Sequence, residues 1–128
     1  MSKQRAELGS AELEVLKALW ESGPGTVRQV LESLHRRGRK VAYTTVLTVL
    51  TRLEQKGYVA SDKSELAYVY RAKVTRERVA GSRVKTMLEQ LYDGAAAPLV
   101  LQLMQTEKFT PEELEQLQRL IDRLDREG

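Results

Sequence analysis

Leu13, Leu16, Leu19 and Trp20 recur at helical spacing, and Gly23-Pro24-Gly25 ends the run. Ser10 ahead of Glu12 and Glu14 marks the start of this helix, because a hydroxyl caps free N–H groups and carboxylates favour the positive end of the helix dipole. A second apolar stripe, Val27, Val30, Leu31 and Leu34, follows the capping-box pair Thr26 and Gln29 and stops near Gly38. A third helix is predicted from about Tyr43 to Lys56, with Val46, Val49, Leu50 and Leu53 on one face and Gly57 as its stop. The period then falls to that of strands. Tyr58-Val59-Ala60-Ser61 and Ala67-Tyr68-Val69-Tyr70, separated by Asp62-Lys63-Ser64-Glu65, predict a β-hairpin.

The remainder reads as helical. Val79, Ala80, Val84, Met87, Leu88 and Leu91 follow Thr75 and end at Asp93-Gly94; a shorter apolar helix follows Pro98; the last opens on Thr110-Pro111-Glu112-Glu113. The fold class is therefore mainly α with a small β-hairpin wing: a winged helix-turn-helix domain over residues 1–73, then a helical dimerisation segment over 74–128. A segment of this length is close to the lower limit for an independent core, so a second chain is expected to complete it. Leu99, Leu103, Met104, Leu114, Leu117, Leu120, Ile121 and Leu124 are the expected dimer contacts. A two-fold dimer would set two third helices on successive major-groove faces and require a near-palindromic site.

The outward positions of the third helix, Tyr43, Thr44, Thr45, Leu47, Thr48, Thr51, Arg52 and Gln55, include no carboxylate. Solvated helices interleave acids with bases, so this face suits DNA better than water: Thr hydroxyls meet base edges or phosphates, Leu and Thr methyls meet thymine, and Arg52 meets phosphate or guanine. The alternative is that the threonines pack against another part of the protein. Arg36, Arg37, Arg39 and Lys40 precede this helix, Lys63 lies at the hairpin tip and Arg71 at its exit, all placed either for phosphate or for solvent. His35 reads as a surface or helix-end residue, and Trp20 and Tyr70 as core.

Composition narrows the chemistry. The 128 residues are 41% hydrophobic, with no Cys, one His and few aromatics, which leaves no thiolate site and no multi-histidine metal centre within one chain and argues against a large aromatic-lined pocket; no cofactor is implied. The Asp and Glu residues are spread along amphipathic helices as solvated charges, so an enzyme is not expected. The net charge of +3 divides unevenly: residues 1–73 carry +5 and residues 74–128 carry −2. The basic charge thus belongs to the expected reading half. No apolar run is long enough to span a membrane and the N-terminus carries no leader-like apolar stretch, so a soluble, cytoplasmic protein is expected.

The string Leu13-x-x-Leu-x-x-Leu-Trp20, the run from Tyr43-Thr44-Thr45 to Thr51-Arg52-Leu53 with Lys56-Gly57 behind it, and Tyr68-Val69-Tyr70-Arg71 resemble the BlaI/MecI family of penicillinase and methicillin-resistance repressors. The likeness extends through Tyr92-Asp93-Gly94 to Thr110-Pro111-Glu112-Glu113-Leu114. It implies a homodimeric winged-helix repressor on operator dyads, often of TACA/TGTA type, that controls β-lactam-resistance or related stress genes. Thr44, Thr45, Leu47, Thr48 and Arg52 match the family's DNA-contacting helix. The resemblance also implies derepression through a membrane-bound sensor protease or a protease downstream of it. The matching bond is Gln102–Leu103, where the family has Asn–Phe. The wing departs too: Ser64-Glu65-Leu66 stands where many relatives carry Gly-Arg. Copper-responsive members end in a cysteine-rich tail, and without Cys that route is not expected here.

The expected function is thus a sequence-specific DNA-binding repressor. Two other readings remain open from the residues: a winged-helix regulator that answers directly to a small ligand, and a winged-helix protein-interaction module.

Overall fold

Residues 8–128 are described by a computed structural model of the chain. Its elements are α1 (Ser10–Ser22), α2 (Val27–Arg36), α3 (Tyr43–Lys56), β1 (Val59–Asp62), β2 (Val69–Ala72), α4 (Arg76–Tyr92), α5 (Ala96–Thr106) and α6 (Pro111–Glu127). Two compact units divide between Gly81 and Ser82, inside α4, whereas the charge asymmetry divides the sequence at Lys73. The expectation about an N-terminal leader concerns residues 1–7, which lie outside the described residues.

The start of α1 differs from the expectation built on Ser10. Gly9 is the cap position, and the Glu12 carboxylate supplies the cap by accepting the Gly9 N–H at 2.8 Å. Glu12 can do this because it is held from its other side: the Lys56 ammonium, at the far end of α3, donates to the same oxygen at 2.7 Å. Burial alone would raise the Glu12 carboxyl, but the Lys56 and Gly9 hydrogen bonds outweigh burial and hold it below its ordinary value. In α2 the reciprocal box forms as the residue types require: the Gln29 N–H donates to Thr26 Oγ1 at 3.2 Å and the Thr26 N–H to Gln29 Oε1 at 2.9 Å. Gly57 stops α3 with a left-handed φ of 87°, which lets the Tyr58 N–H reach the Leu53 carbonyl at 2.9 Å.

The hairpin is antiparallel, from Val59 opposite Ala72 to Asp62 opposite Val69, so both strands begin later than the residue pattern suggests. Two bonds account for the shift. Asp62 accepts the Ser64 N–H at 3.0 Å and opens the turn itself, while Tyr70 exchanges backbone bonds of 2.8 and 2.9 Å with Gly25, pinning β2 to the α1–α2 connection.

The first unit's core gathers Val15, Leu16 and Leu19 of α1, Val30, Leu31 and Leu34 of α2, and Val46, Val49, Leu50 and Leu53 of α3, with Tyr58, Val59, Tyr70 and Val74 closing it. Tyr70 is a core residue as expected, whereas Trp20 is half-buried at the edge of this cluster and donates its Nε1–H to the Val74 carbonyl at 2.8 Å.

Beyond the hairpin, Thr75 caps α4 by accepting the Arg78 N–H at 3.1 Å. α5 starts at Ala96, two residues ahead of Pro98. Pro98 is tolerated there because the first-turn N–H it lacks would have no intrahelical partner. Thr110 and Glu113 form the capping box of α6, with Pro111 at its first position. None of the residues of α4, α5 or α6 is fully buried. Among the described residues, no helix is long and apolar enough to cross a membrane.

The Glu12 carboxyl titrates below its ordinary value of 4.5 only in the folded chain, so the unfolded chain takes its proton first as pH falls. Its contribution to stability should be fully present above that value and lost as pH drops through the folded-state one. Thermal melts should therefore show Glu12→Ala destabilised by about 1–3 kcal/mol at neutral pH, since Lys56 and the Gly9 N–H lose their acceptor. The gap between the variant and the parent chain should narrow in acid.

Candidate nucleic-acid interface

Burial of Val46, Val49, Leu50 and Leu53 turns the rest of α3 outward. Tyr43, Thr44, Thr45, Leu47, Thr48, Thr51 and Arg52 are all exposed, Tyr43 to 43% and Leu47 to 39% even though both are large and apolar. The threonines therefore do not pack against the first unit's core. Thr51 donates its hydroxyl to the Leu47 carbonyl at 2.8 Å, which commits that proton within the helix. No side chain caps the start of α3 and its first turn holds no acid, in contrast to the side-chain caps of α2 and α6. The start of α3 therefore has neither a side-chain cap on its first N–H groups nor a first-turn acid to offset the positive end of its dipole.

The helix does contain one acid, Glu54, on the flank facing the hairpin. Ser61 Oγ donates to it at 2.6 Å and Lys63 Nζ at 3.2 Å. The Ser61 hydrogen bond, more than the Lys63 charge, keeps the Glu54 carboxyl below its ordinary value against the opposing effect of burial. Lys63 also donates to Ser61 Oγ at 2.7 Å and lies 5.6 Å from the centre of the Tyr68 ring. The expected tip cation is therefore engaged by the protein itself.

The basic cluster ahead of α3 splits in two. Arg37 pairs with Glu21, and more loosely with Glu14 at 3.9 Å, fastening the end of α2 to α1. Arg39 and Lys40 are exposed and, among the described residues, pair with no carboxylate. His35 sits exposed near the end of α2 with Nε2 3.1 Å from the Val41 carbonyl, a helix-end residue as expected. Arg52 is exposed, forms no salt bridge among the described residues, and lies near enough for its charge to help lower the Glu12 carboxyl.

One residue escaped the sequence reasoning. Arg28, exposed on α2, places its guanidinium 5.3 Å from the centre of the Tyr43 ring, adding a cation beside the start of α3. Its position just off the stripe of Val27, Val30 and Leu31 marks it as outward-facing. Only the packing of α2 on α3 reveals which surface it joins.

In the second unit, Leu103, Met104, Leu114, Leu120, Ile121 and Leu124 are exposed, while Leu99 and Leu117 are half-buried. Gln102 and Leu103 lie in the interior of α5, where the Gln102 carbonyl also accepts the Thr106 hydroxyl at 2.8 Å.

Three packed helices, a hairpin tied to the first connection, and an exposed acid-poor third helix define a winged-helix DNA-binding regulator. The fold is similar to that of a MarR family protein from Bacillus stearothermophilus, with a TM-score of 0.52 at 21% identity over 94% of this chain and 74% of that one. It is also similar to a MarR mutant from E. coli solved with operator DNA, with a TM-score of 0.50 at 15% identity over 92% of this chain and 76% of that one.

Sequence comparison identifies the family. The pattern of the penicillinase repressor family matches residues 8–123, and the chain belongs to that family, the BlaI/MecI repressors. It is 34% identical to the transcriptional regulator BlaI of Mycobacterium tuberculosis over 92% of this chain and 85% of that protein. It is 25% identical to the penicillinase repressor of Staphylococcus aureus over 95% and 96%. It is 24% identical to the methicillin resistance regulatory protein MecI of Mammaliicoccus sciuri over 96% and 99%. The protein is accordingly a winged-helix transcriptional repressor.

Proposed function

We propose that the chain acts as a homodimer on a near-palindromic operator, with one α3 in each of two major-groove faces, and represses β-lactam-resistance or related stress genes. The observation that carries this reading is the exposed α3 face, which bears no acid that is not already neutralised by the hairpin. Thr44, Thr45, Leu47, Thr48 and Arg52 read base edges, with Tyr43 at the entry of the helix. Arg28, Arg39 and Lys40 meet phosphates and set register.

Dimerisation is supported by the second unit, whose helices bury none of their residues fully while a stripe of leucines with Ile121 remains open on α6. A second copy supplies the same stripe, so two chains cover each other's apolar surface by two-fold symmetry. The polar side of α6 is already satisfied within the helix: Arg119 pairs with Glu115 at 3.0 Å and Gln118 with Asp122 at 2.9 Å. Cleavage of Gln102–Leu103, by the cascade of a membrane-bound sensor protease, would separate α6 and the end of α5 from α4 and dissolve this unit. Because the bond lies in helix, a protease must first unwind α5.

Gel shift and sequencing of co-purified DNA test the reading together: a salt-sensitive, sequence-selective shift of a dimer is expected, and its absence overturns the proposal. Arg52→Ala should weaken operator binding by about 1–3 kcal/mol, with relaxed selectivity at the contacted base pair. Arg28→Ala should weaken operator and unrelated duplexes alike, flattening the salt dependence by about 0.9 in log–log slope. Ile121→Asp should shift sedimentation towards monomer and abolish high-affinity binding to the two-half-site operator. A dimer that survives the change relocates the interface.

A further inference from the structure

The wing tip carries Asp62, Lys63 and Glu65, two carboxylates and one ammonium, on the hairpin that follows the exposed helix α3. The single cation is not presented to solvent alone. Lys63 Nζ lies 3.2 Å from Glu54 Oε2 and 2.7 Å from Ser61 Oγ, and Ser61 Oγ lies 2.6 Å from the same Glu54 oxygen. The hydroxyl donates to the carboxylate and accepts from the ammonium, so the three groups close a triangle between α3 and β1. The Tyr68 ring lies 5.6 Å from the ammonium. Asp62 is turned to the Ser64 backbone and Glu65 is exposed.

Resting on the DNA-binding reading above, we infer that Glu54 is a positioning residue that withholds Lys63 from the DNA backbone, so that the wing tip adds no phosphate contact. A lone ammonium at this tip would join the counterion-releasing, sequence-independent part of binding. Held by Glu54, it forms a neutral pair beside two further carboxylates. The tip is then neutral to repulsive towards phosphate, and affinity is left to the α3 face and to Arg28, Arg39 and Lys40. Glu54 remains ionised near neutrality, since the Ser61 hydrogen bond depresses its carboxyl. The arrangement also explains how a helix otherwise free of acids accommodates one close to a polyanion: the hairpin neutralises it in advance.

The test is a charge cycle read by salt dependence on a random-sequence duplex and on the operator. Glu54→Gln keeps an acceptor for Ser61 but frees the ammonium. It should steepen the slope by about 0.9, one further phosphate, and tighten binding to the random duplex several-fold at low salt. Adding Lys63→Met to Glu54→Gln should return the slope to that of the parent chain. If the double variant instead shows a slope flatter than the parent chain's by about 0.9, Lys63 already meets a phosphate in the parent chain and the inference is overturned. An unchanged slope in Glu54→Gln overturns it as well. These outcomes count against Glu54 alone, because the parent chain still binds. A parent chain with no salt-dependent binding to either duplex removes the DNA-binding reading, and this inference with it.

Discussion

The burial of four α3 residues, Val46, Val49, Leu50 and Leu53, orders the whole reading unit. Leu50 and Leu53 are wholly inaccessible and share one cluster with Leu16 of α1 and Leu31 of α2. Deleting a buried side chain of this size costs about 2–5 kcal/mol, while rotating the helix to hide a threonine instead would expose several at once. The inward stripe therefore dictates the outward one. Helical periodicity then leaves Thr44, Thr45, Leu47, Thr48 and Arg52 no position except the surface. The Glu12–Lys56 pair adds a polar restraint at the other end of the helix, joining the first turn of α1 to the last turn of α3.

Much of this was legible because local signals and tertiary packing agree. Thr26 with Gln29 and Thr110 with Glu113 close their boxes using groups three residues apart, and Gly57 ends α3 through a conformation that its lack of a Cβ makes easy. The misreadings arise where a distant partner decides. Ser10 has the chemistry of a cap, but Glu12 takes that role because Lys56, remote in sequence, supports its carboxylate. The hairpin register follows from Asp62 opening the turn and from Gly25 pairing with Tyr70, neither visible as an alternation of residue types. Pro98 looks like a first helical residue, yet the helix begins earlier because a first-turn Pro lacks only an N–H without an intrahelical partner.

The candidate interface shows the same limit in its charges. A count of bases ahead of α3 treats Arg36, Arg37, Arg39 and Lys40 as equivalent, but Arg37 is spent on Glu21 and Glu14 of α1. Lys63 is likewise counted as a tip cation until Glu54 comes beside it through the α3–β1 packing. Arg28, which no motif marks, gains a place because α2 carries it to Tyr43. Which charges remain available is a tertiary property, and a sequence displays only their number.

The two units differ in how much apolar surface they bury within the chain, and for the proposed dimer this bears on the response to concentration. All the fully buried apolar residues lie at or before Val74, so the reading unit has a core of its own. The helices after the hairpin retain Leu91, Val100, Leu101, Ile121 and Leu124 as exposed apolar groups. In the proposed dimer, covering that surface links the order of the second unit to association by mass action. A monomer would then keep a formed α3 face but lose the coupling between two half-sites, and with it most of the operator affinity. Breaking α5 would, in the same proposal, act on that equilibrium without touching any residue of the proposed DNA-contacting face. Under the proposed dimer, a reading unit with its own core and a second unit covered by its copy would give release a physical route: disassembly, with the α3 face left intact.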